Sequence, residues 1–183
     1  MTSRNTFVRS LHDLGAAAWF GGSLMGAAGV NGAGAAVRDP RDRARVTAVG
    51  WAKWAPLNAV AIGAHLLGGS AILYANRGRA KHQSGVTANT VAKTAVTAAA
   101  LGATAYSGFL GAKTAKGDGQ PVAGATEPSP ATPDDVASAQ QRLRFLQWTL
   151  PVLTGAIVAL GAQQGEQQRP SQILAGLAHR VRD

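Results

Sequence analysis

The chain has no cysteine among its 183 residues. This absence excludes disulfide bonds, thiolate metal sites, cysteine nucleophiles and a cysteine-linked lipid anchor, and it is neutral about the compartment. Acidic residues are also few: 9 Asp and Glu stand against 18 Lys and Arg, for a formal net charge of +9. Because basic residues beside membrane spans meet anionic headgroups, we expect membrane lipids as partners of this charge and no nucleic acid.

Charge of either sign is absent from four long windows. Residues 14–37, 54–76, 94–112 and 145–165 contain no Lys, Arg, Asp or Glu. Each window is roughly 19–24 residues long, enough for a helix to cross a hydrocarbon core of about 30 Å. The sequence therefore predicts an all-α polytopic membrane protein, a single domain over residues 1–183. Its four transmembrane helices form a bundle with short amphipathic helices at the surface.

The first window has a second interpretation. Arg4 and Arg9 precede it, and the small residues at 33–35 are typical of the cleavage site of a secretory signal. Asp13 directly before the run, and the length of the run, favour a retained span.

Three segments lie outside the windows. After Asp39 and Pro40, a typical helix start, we predict a short helix in the headgroup region. Residues 113–132, rich in Gly, Pro and Ala, predict a flexible loop, and residues 171–182 predict an amphipathic surface helix. The residues predicted to contact lipid headgroups are Arg41, Arg43, Arg45, Trp51 and Trp54.

Basic residues do not decide the orientation. Four spans place both termini on one side, and the 18 Lys and Arg divide equally between the two sides. We expect cytoplasmic termini, because a basic tail and a compact second connection suit that leaflet.

Small residues recur at helical spacing on every predicted span. Such surfaces allow close approach of helix backbones, and threonines bond across the interface. The residues predicted to pack helices together are Gly22, Gly26, Gly29, Gly69, Thr97, Thr104 and Gly155.

One ionisable residue, His65, lies inside a window. It shares a helical face with small and polar residues, and so points toward the packed side of its helix. If the first two spans turn midway between their windows, Gly26 lies opposite His65. In that register His12 lies opposite Arg79, roughly 20 Å along the axis from His65, and is excluded as a partner.

His65 has three possible roles. A neutral imidazole that bonds Ser23, Thr97, Thr104 or a backbone carbonyl would fix helix register. A titrating imidazole would contact a solute or proton. A haem or metal ligand would need a second histidine, and none is placed to complete the site. A solute or proton site would comprise His65, Asn58, Asn76 and Tyr106.

Signatures of an enzyme are missing. No carboxylate falls inside a window, so no acid/base pair lies at membrane depth. The glycines of "GVNGAGAAV" do not follow the order of a dinucleotide-binding loop. We predict no catalysis, no cofactor and no metal.

Several blocks resemble a known family when taken together. They are "LHDLGAAAWFGGSLMGAAGVN", "GWAKWAPLNAVAIGAHLLGG", "TAAALGATAYSG", "ATPDDVASAQQRLRFLQWTLPVLTG" and "GEQQRP". The chain resembles uncharacterised small integral membrane proteins of actinobacteria such as mycobacteria and streptomycetes. The resemblance implies about four helices in the bacterial plasma membrane, and it brings no activity or site residues.

Two functions follow from these patterns. The small-residue faces favour a non-enzymatic accessory, structural or assembly protein that packs with itself or with other membrane-protein subunits. The alternative is a small transport or cofactor-binding protein that uses His65. A packing role predicts a dry, close-packed histidine, whereas transport predicts a wet cavity lined by polar side chains.

Overall fold

The chain folds as a bundle of long helices. The computed structural model describes residues 6–80, 84–116 and 118–167, with side chains at 6–75, 87–116 and 118–165. These ranges are all-helical and contain no strand. The predicted helix at 171–182 lies outside them. The elements are α1 (Thr6–Met25), a π-helical turn (Gly26–Val30), α2 (Asn31–Ala35), α3 (Arg43–Ala80), α4 (Ser84–Ala115) and α5 (Asp134–Gln167).

Three helices are long and apolar enough to cross a membrane. The qualifying stretches are Arg43–Ala75, Thr87–Ala115 and Asp134–Gly165. Large apolar side chains on their outer faces remain exposed, including Leu67 and Val152, as expected where lipid replaces water. The first predicted window is divided among α1, the π-helical turn and α2, and is not among the three.

Helix α1 occupies the middle of the bundle. It packs against both α3 and α5, α4 packs mainly against α5, and α3 and α4 have a smaller contact than these three pairs. Neighbouring helices run antiparallel: Gly22 of α1 meets Trp54 of α3, and Ser23 shares a 3.3 Å hydrogen bond with Thr154 of α5. The central buried cluster is Ala16, Trp19, Ala100 and Ile157.

The predicted headgroup helix is instead the beginning of α3, which starts at Arg43 and continues without a break to the far end of the bundle. The ring of Trp51 fills the space above Gly26 of the π-helical turn, and the ring of Trp54 fills the space above Gly22 of α1. Because glycine carries no side chain, each leaves a notch in the helix surface that one indole occupies. The two tryptophans therefore pack α3 against α1.

The arginines of this segment also have contacts within the chain. Arg41 is exposed, and Arg45 pairs with Asp42 at 2.8 Å. Arg43 donates hydrogen bonds to the backbone carbonyls of Val37, Val122 and Ala123. It thereby joins the start of α3 to the loop between α4 and α5.

That loop, predicted as flexible, folds against the α1–α3 side of the bundle. The backbone N–H of Val122 donates to the carbonyl of Pro40 at 3.2 Å. The side chain of Gln140 donates to two loop carbonyls, and both Val122 and Gln140 are 1% exposed. These contacts pack the loop against the helices, and its flexibility stays a prediction.

The π-helical turn brings Asn31 into the bundle, where it is buried. Asn31 accepts a hydrogen bond from the indole of Trp51 at 2.9 Å and donates to Gln147 at 2.8 Å. Gln147 in turn donates to Thr126 of the loop at 3.3 Å. An extra residue within a helical turn re-aims the side chains that follow, and here it links α2, α3, α5 and the loop.

Candidate functional site: a histidine pair beside an open cleft

Two histidines stack in the interior where α1 crosses α3. The ring centroids of His12 and His65 are 4.1 Å apart, and the ring planes are inclined by 20°. The Nδ1 atom of His12 lies 2.8 Å from the carbonyl oxygen of His65, and the Nδ1 atom of His65 lies 3.1 Å from the carbonyl oxygen of His12. Each imidazole therefore bonds the backbone of the opposite helix.

Glycine makes this crossing possible. A Cβ atom on Gly15 would lie 2.5 Å from the carbonyl oxygen of Ala61, and one on Gly68 would lie 2.7 Å from the backbone nitrogen of His12. No side chain fits at such distances, so both positions require glycine. The absence of side chains brings the two backbones within reach of the imidazoles.

Trp19 closes the inner side of the pair. Its ring meets that of His65 edge-on, with centroids 6.3 Å apart, and its indole N–H donates to Thr104 of α4 at 3.2 Å. His65 is 2% exposed and Trp19 is 1% exposed. This side of the histidine pair is dry and close-packed.

Lys93 of α4 completes the cluster, because its Nζ atom lies 2.8 Å from Nε2 of His12. An ammonium can only donate, so Nε2 of His12 accepts, and the proton of this neutral ring sits on Nδ1. The same rule places the proton of His65 on Nδ1, where it faces a carbonyl. The hydrogen bonds thus assign one tautomer to both rings.

Two groups of the cluster could still bind a ligand atom: one as a hydrogen-bond acceptor and one as a positive charge. Among the described residues, Nε2 of His65 has no hydrogen-bond partner. Lys93 forms no ion pair with any carboxylate whose side chain the structure describes. The site therefore offers one lone pair and one ammonium without an ion pair, and the Asp13 carboxylate lines the same cleft.

A cleft of about 690 Å³ opens beside these groups, within the range typical of small-molecule sites. It lies between α3 and α4, which have only a small contact with each other, and α1 and α5 form its floor. Its polar lining includes Arg9, His12, Asp13, His65, Lys93, Thr90, Thr94 and Thr97. Its apolar lining includes Leu66, Ile72, Leu73, Leu101, Ile157 and Val158.

The residues predicted to accompany His65 do not converge on it. Asn58 lies two turns away along α3, and its buried Oδ1 atom lacks a hydrogen-bond partner. Tyr106 accepts a hydrogen bond from Arg142 at 2.9 Å, and neither Asn58 nor Tyr106 lines the cleft. The side chain of Asn76 lies outside the described residues.

The exclusion of His12 was wrong. It assumed that the first hairpin turns midway between the two charge-free windows, which set Gly26 opposite His65. Because α3 begins at Arg43, the turn lies about six residues earlier, and His12 and Gly15 face His65 instead.

The other predicted packing residues have the following neighbours. Gly69 lies beneath the ring of His12, Gly155 meets the ring of Phe20, and Gly29 faces Met25 of its own helical turn. Thr97 lines the cleft.

Neither histidine is arranged as a haem or metal ligand in a bundle of this kind. The two rings are in direct contact, which leaves no space between them for an iron and its porphyrin. Within the described part of the chain, no three His, Cys, Asp or Glu side chains are grouped so that they could hold a metal ion.

Comparison of this chain with protein families, with characterised proteins and with solved structures finds no match. The fold and the cleft define its class: an all-helical protein with three helices able to span a membrane, and a basic cleft at one end of the bundle. What the cleft does must be argued from its geometry.

Proposed function

We propose that this chain is a four-span integral membrane protein that binds a small ligand in the cleft between α3 and α4. The observation that carries the proposal is the open cleft of about 690 Å³ beside a buried histidine pair and a lysine that forms no ion pair with a described carboxylate. Binding at His65 and Lys93 is compatible with transport and needs no catalysis. No acid/base pair or nucleophile is assigned there.

The accessory function remains the second candidate, but its original basis is weaker. The glycines that favoured it already pack against side chains of the same chain. Gly22 and Gly26 contact tryptophan rings, and Gly155 contacts the ring of Phe20. Small residues already used for internal packing do not indicate a partner. We therefore place ligand binding first.

Four spans are supported by the path of the first helical segment. From Gly15, opposite His65, to Gly34, opposite Thr47, it follows α3 closely. The α1–α3 turn then meets the α4–α5 loop through the hydrogen bond between Val122 and the carbonyl of Pro40. Two connections in contact belong on the same side of a membrane.

Single-cysteine labelling tests this topology, and the natural absence of cysteine makes each introduced thiol unique. With cytoplasmic termini, Arg38→Cys and Ala131→Cys are expected to react with an impermeant maleimide added to intact cells. Phe7→Cys, exposed at the start of α1, is expected to react only after the membrane is opened. Labelling of Phe7→Cys together with Arg38→Cys would mean that the first helix does not cross.

Occlusion of the cleft tests ligand binding. Ala98 lines the cleft and Ala95 lies on the exposed face of the same helix outside it. Ala98→Trp is expected to reduce the amount of copurifying small molecule about tenfold or more, equivalent to roughly 1.4 kcal/mol. Ala95→Trp should leave it unchanged. Mass spectrometry of solvent extracts from matched amounts of folded protein measures both, and equal retention would reject the cleft as the site.

A further inference from the structure

We infer that the ligand of this cleft is a long-chain carboxylic acid, which enters from the bilayer and is held by Lys93 and His65. The inference rests on the proposed function, because it names the chemical class that the same cleft accepts. Three properties carry it: an ammonium that forms no ion pair with a described carboxylate, an imidazole nitrogen able to accept a proton, and apolar walls in the same cleft.

The ammonium selects a negative charge. The Nζ atom of Lys93 forms a hydrogen bond with Nε2 of His12, at 2.8 Å. Lys93 forms no ion pair with a described carboxylate. A charge at the edge of a hydrocarbon core is costly unless it is paired. A ligand oxygen that carries negative charge would supply the missing partner.

The imidazole selects an acid that can give up a proton. His65 is 98% buried and donates through Nδ1 to the carbonyl of His12, so its Nε2 can only accept. When a carboxylic acid binds, the O–H bond breaks, the proton passes to Nε2, and the products are a carboxylate and an imidazolium. The carboxylate then faces two positive charges, from His65 and Lys93.

The rest of the cleft selects an acyl chain. The cleft walls also include Leu66, Ile72, Leu73, Leu101 and Val158, of which Leu66, Leu73 and Val158 are exposed. A small inorganic anion would leave this apolar wall uncovered. A phosphodiester lipid would bring two chains and no acidic proton for Nε2 of His65.

The position of the polar end suits an amphiphile. His12 lies two residues before the first charge-free window, Lys93 directly precedes the third, and Gly161, beneath the Lys93 ammonium, is near the end of the fourth. The polar groups of α1 and α4 therefore lie at an edge of the apolar core, and His65 lies deeper, at the middle of its window. A fatty acid has its headgroup at that depth and its chain inside.

The test compares palmitic acid with methyl palmitate on the protein in nanodiscs of zwitterionic lipid, by competition against a fluorescent acyl probe. Methyl palmitate keeps the chain and loses both the charge and the proton. We expect palmitic acid to bind about tenfold more tightly or better, and Lys93→Gln to remove most of that difference. Lys113→Gln, on the same helix and outside the cleft, should preserve it.

The comparison uses unaltered protein, so a variant that fails to fold does not obscure the answer. Equal affinity for the acid and its ester would overturn the inference, as would stronger displacement by phosphatidylglycerol than by palmitic acid. If palmitic acid does not bind but another molecule is retained and is lost in Ala98→Trp, the ligand class is wrong and the cleft function stands. If nothing is retained or bound, both fail.

Discussion

Gly15→Ala is expected to destabilise the protein by about 3 kcal/mol, the upper range for overpacking a tight interior. A Cβ atom there would lie 2.5 Å from the carbonyl oxygen of Ala61 and 2.6 Å from the backbone nitrogen of His65. Both obstacles are backbone atoms, so no rotamer change relieves the contact, and α1 must move away from α3. That movement also separates His12 from His65.

Gly21→Ala is the matched control, because a Cβ atom at Gly21 meets nothing within 4 Å. Alanine is preferred over glycine in a helix by up to about 1 kcal/mol, so this variant should be neutral or slightly stabilised. The two substitutions are chemically identical and lie on one helix, yet their effects should have opposite signs. Unfolding in mixed micelles with increasing dodecyl sulfate, followed by circular dichroism, measures both, and equal effects would contradict the tight crossing.

The helices could be predicted because lipid imposes a simple pattern on the sequence. A window without charge indicates where a helix passes through hydrocarbon. Three of the four windows fall inside helices that are long and apolar enough to cross a membrane. The same pattern underestimates helix length. Helix α3 begins at Arg43 and α4 at Ser84, so both extend well beyond their windows, because charged residues are compatible with helix outside the core.

The pairing of α1 with α3 could not be obtained from the windows alone. Glycine and alanine recur so often on both helices that many registers present small residues to each other. Pro40 was the available signal, because a proline after a capping Asp is typical of a helix start and so places the end of the preceding helix before it. Gly15 and His65 lie 25 residues on either side of it, so a turn centred there brings His12 and Gly15 to His65.

Lys93 was missed for a related reason. Windows defined by the absence of charge end at the first charged residue, and the third window therefore began at residue 94. Only the three-dimensional arrangement shows that this lysine points back into the bundle, to His12 of a helix about 80 residues earlier in the chain. Its partner is an uncharged imidazole, which no pattern of opposite charges would indicate.

His12→Phe is expected to destabilise the protein by about 3 kcal/mol, whereas His65→Phe should cost only about 1 kcal/mol. Phenylalanine keeps an aromatic ring in the stack, so each substitution removes the hydrogen bond from Nδ1 to the opposite carbonyl. The two histidines are equivalent in that bond. They differ in the third contact, since only His12 also accepts from the Lys93 ammonium at 2.8 Å, and its loss leaves that charge without a partner.

The asymmetry can be assigned to the ammonium by a double-mutant cycle. In a Lys93→Met background the charge is gone, so His12→Phe should cost about 1 kcal/mol, close to the value for His65→Phe, and the coupling between residues 12 and 93 should be about 2 kcal/mol. Lys113→Met supplies a control background without coupling. If His12→Phe costs the same with and without Lys93, the ammonium does not depend on His12 in the folded protein. Lys93 would then be solvated or paired elsewhere, and its ammonium would not be available to select an acid.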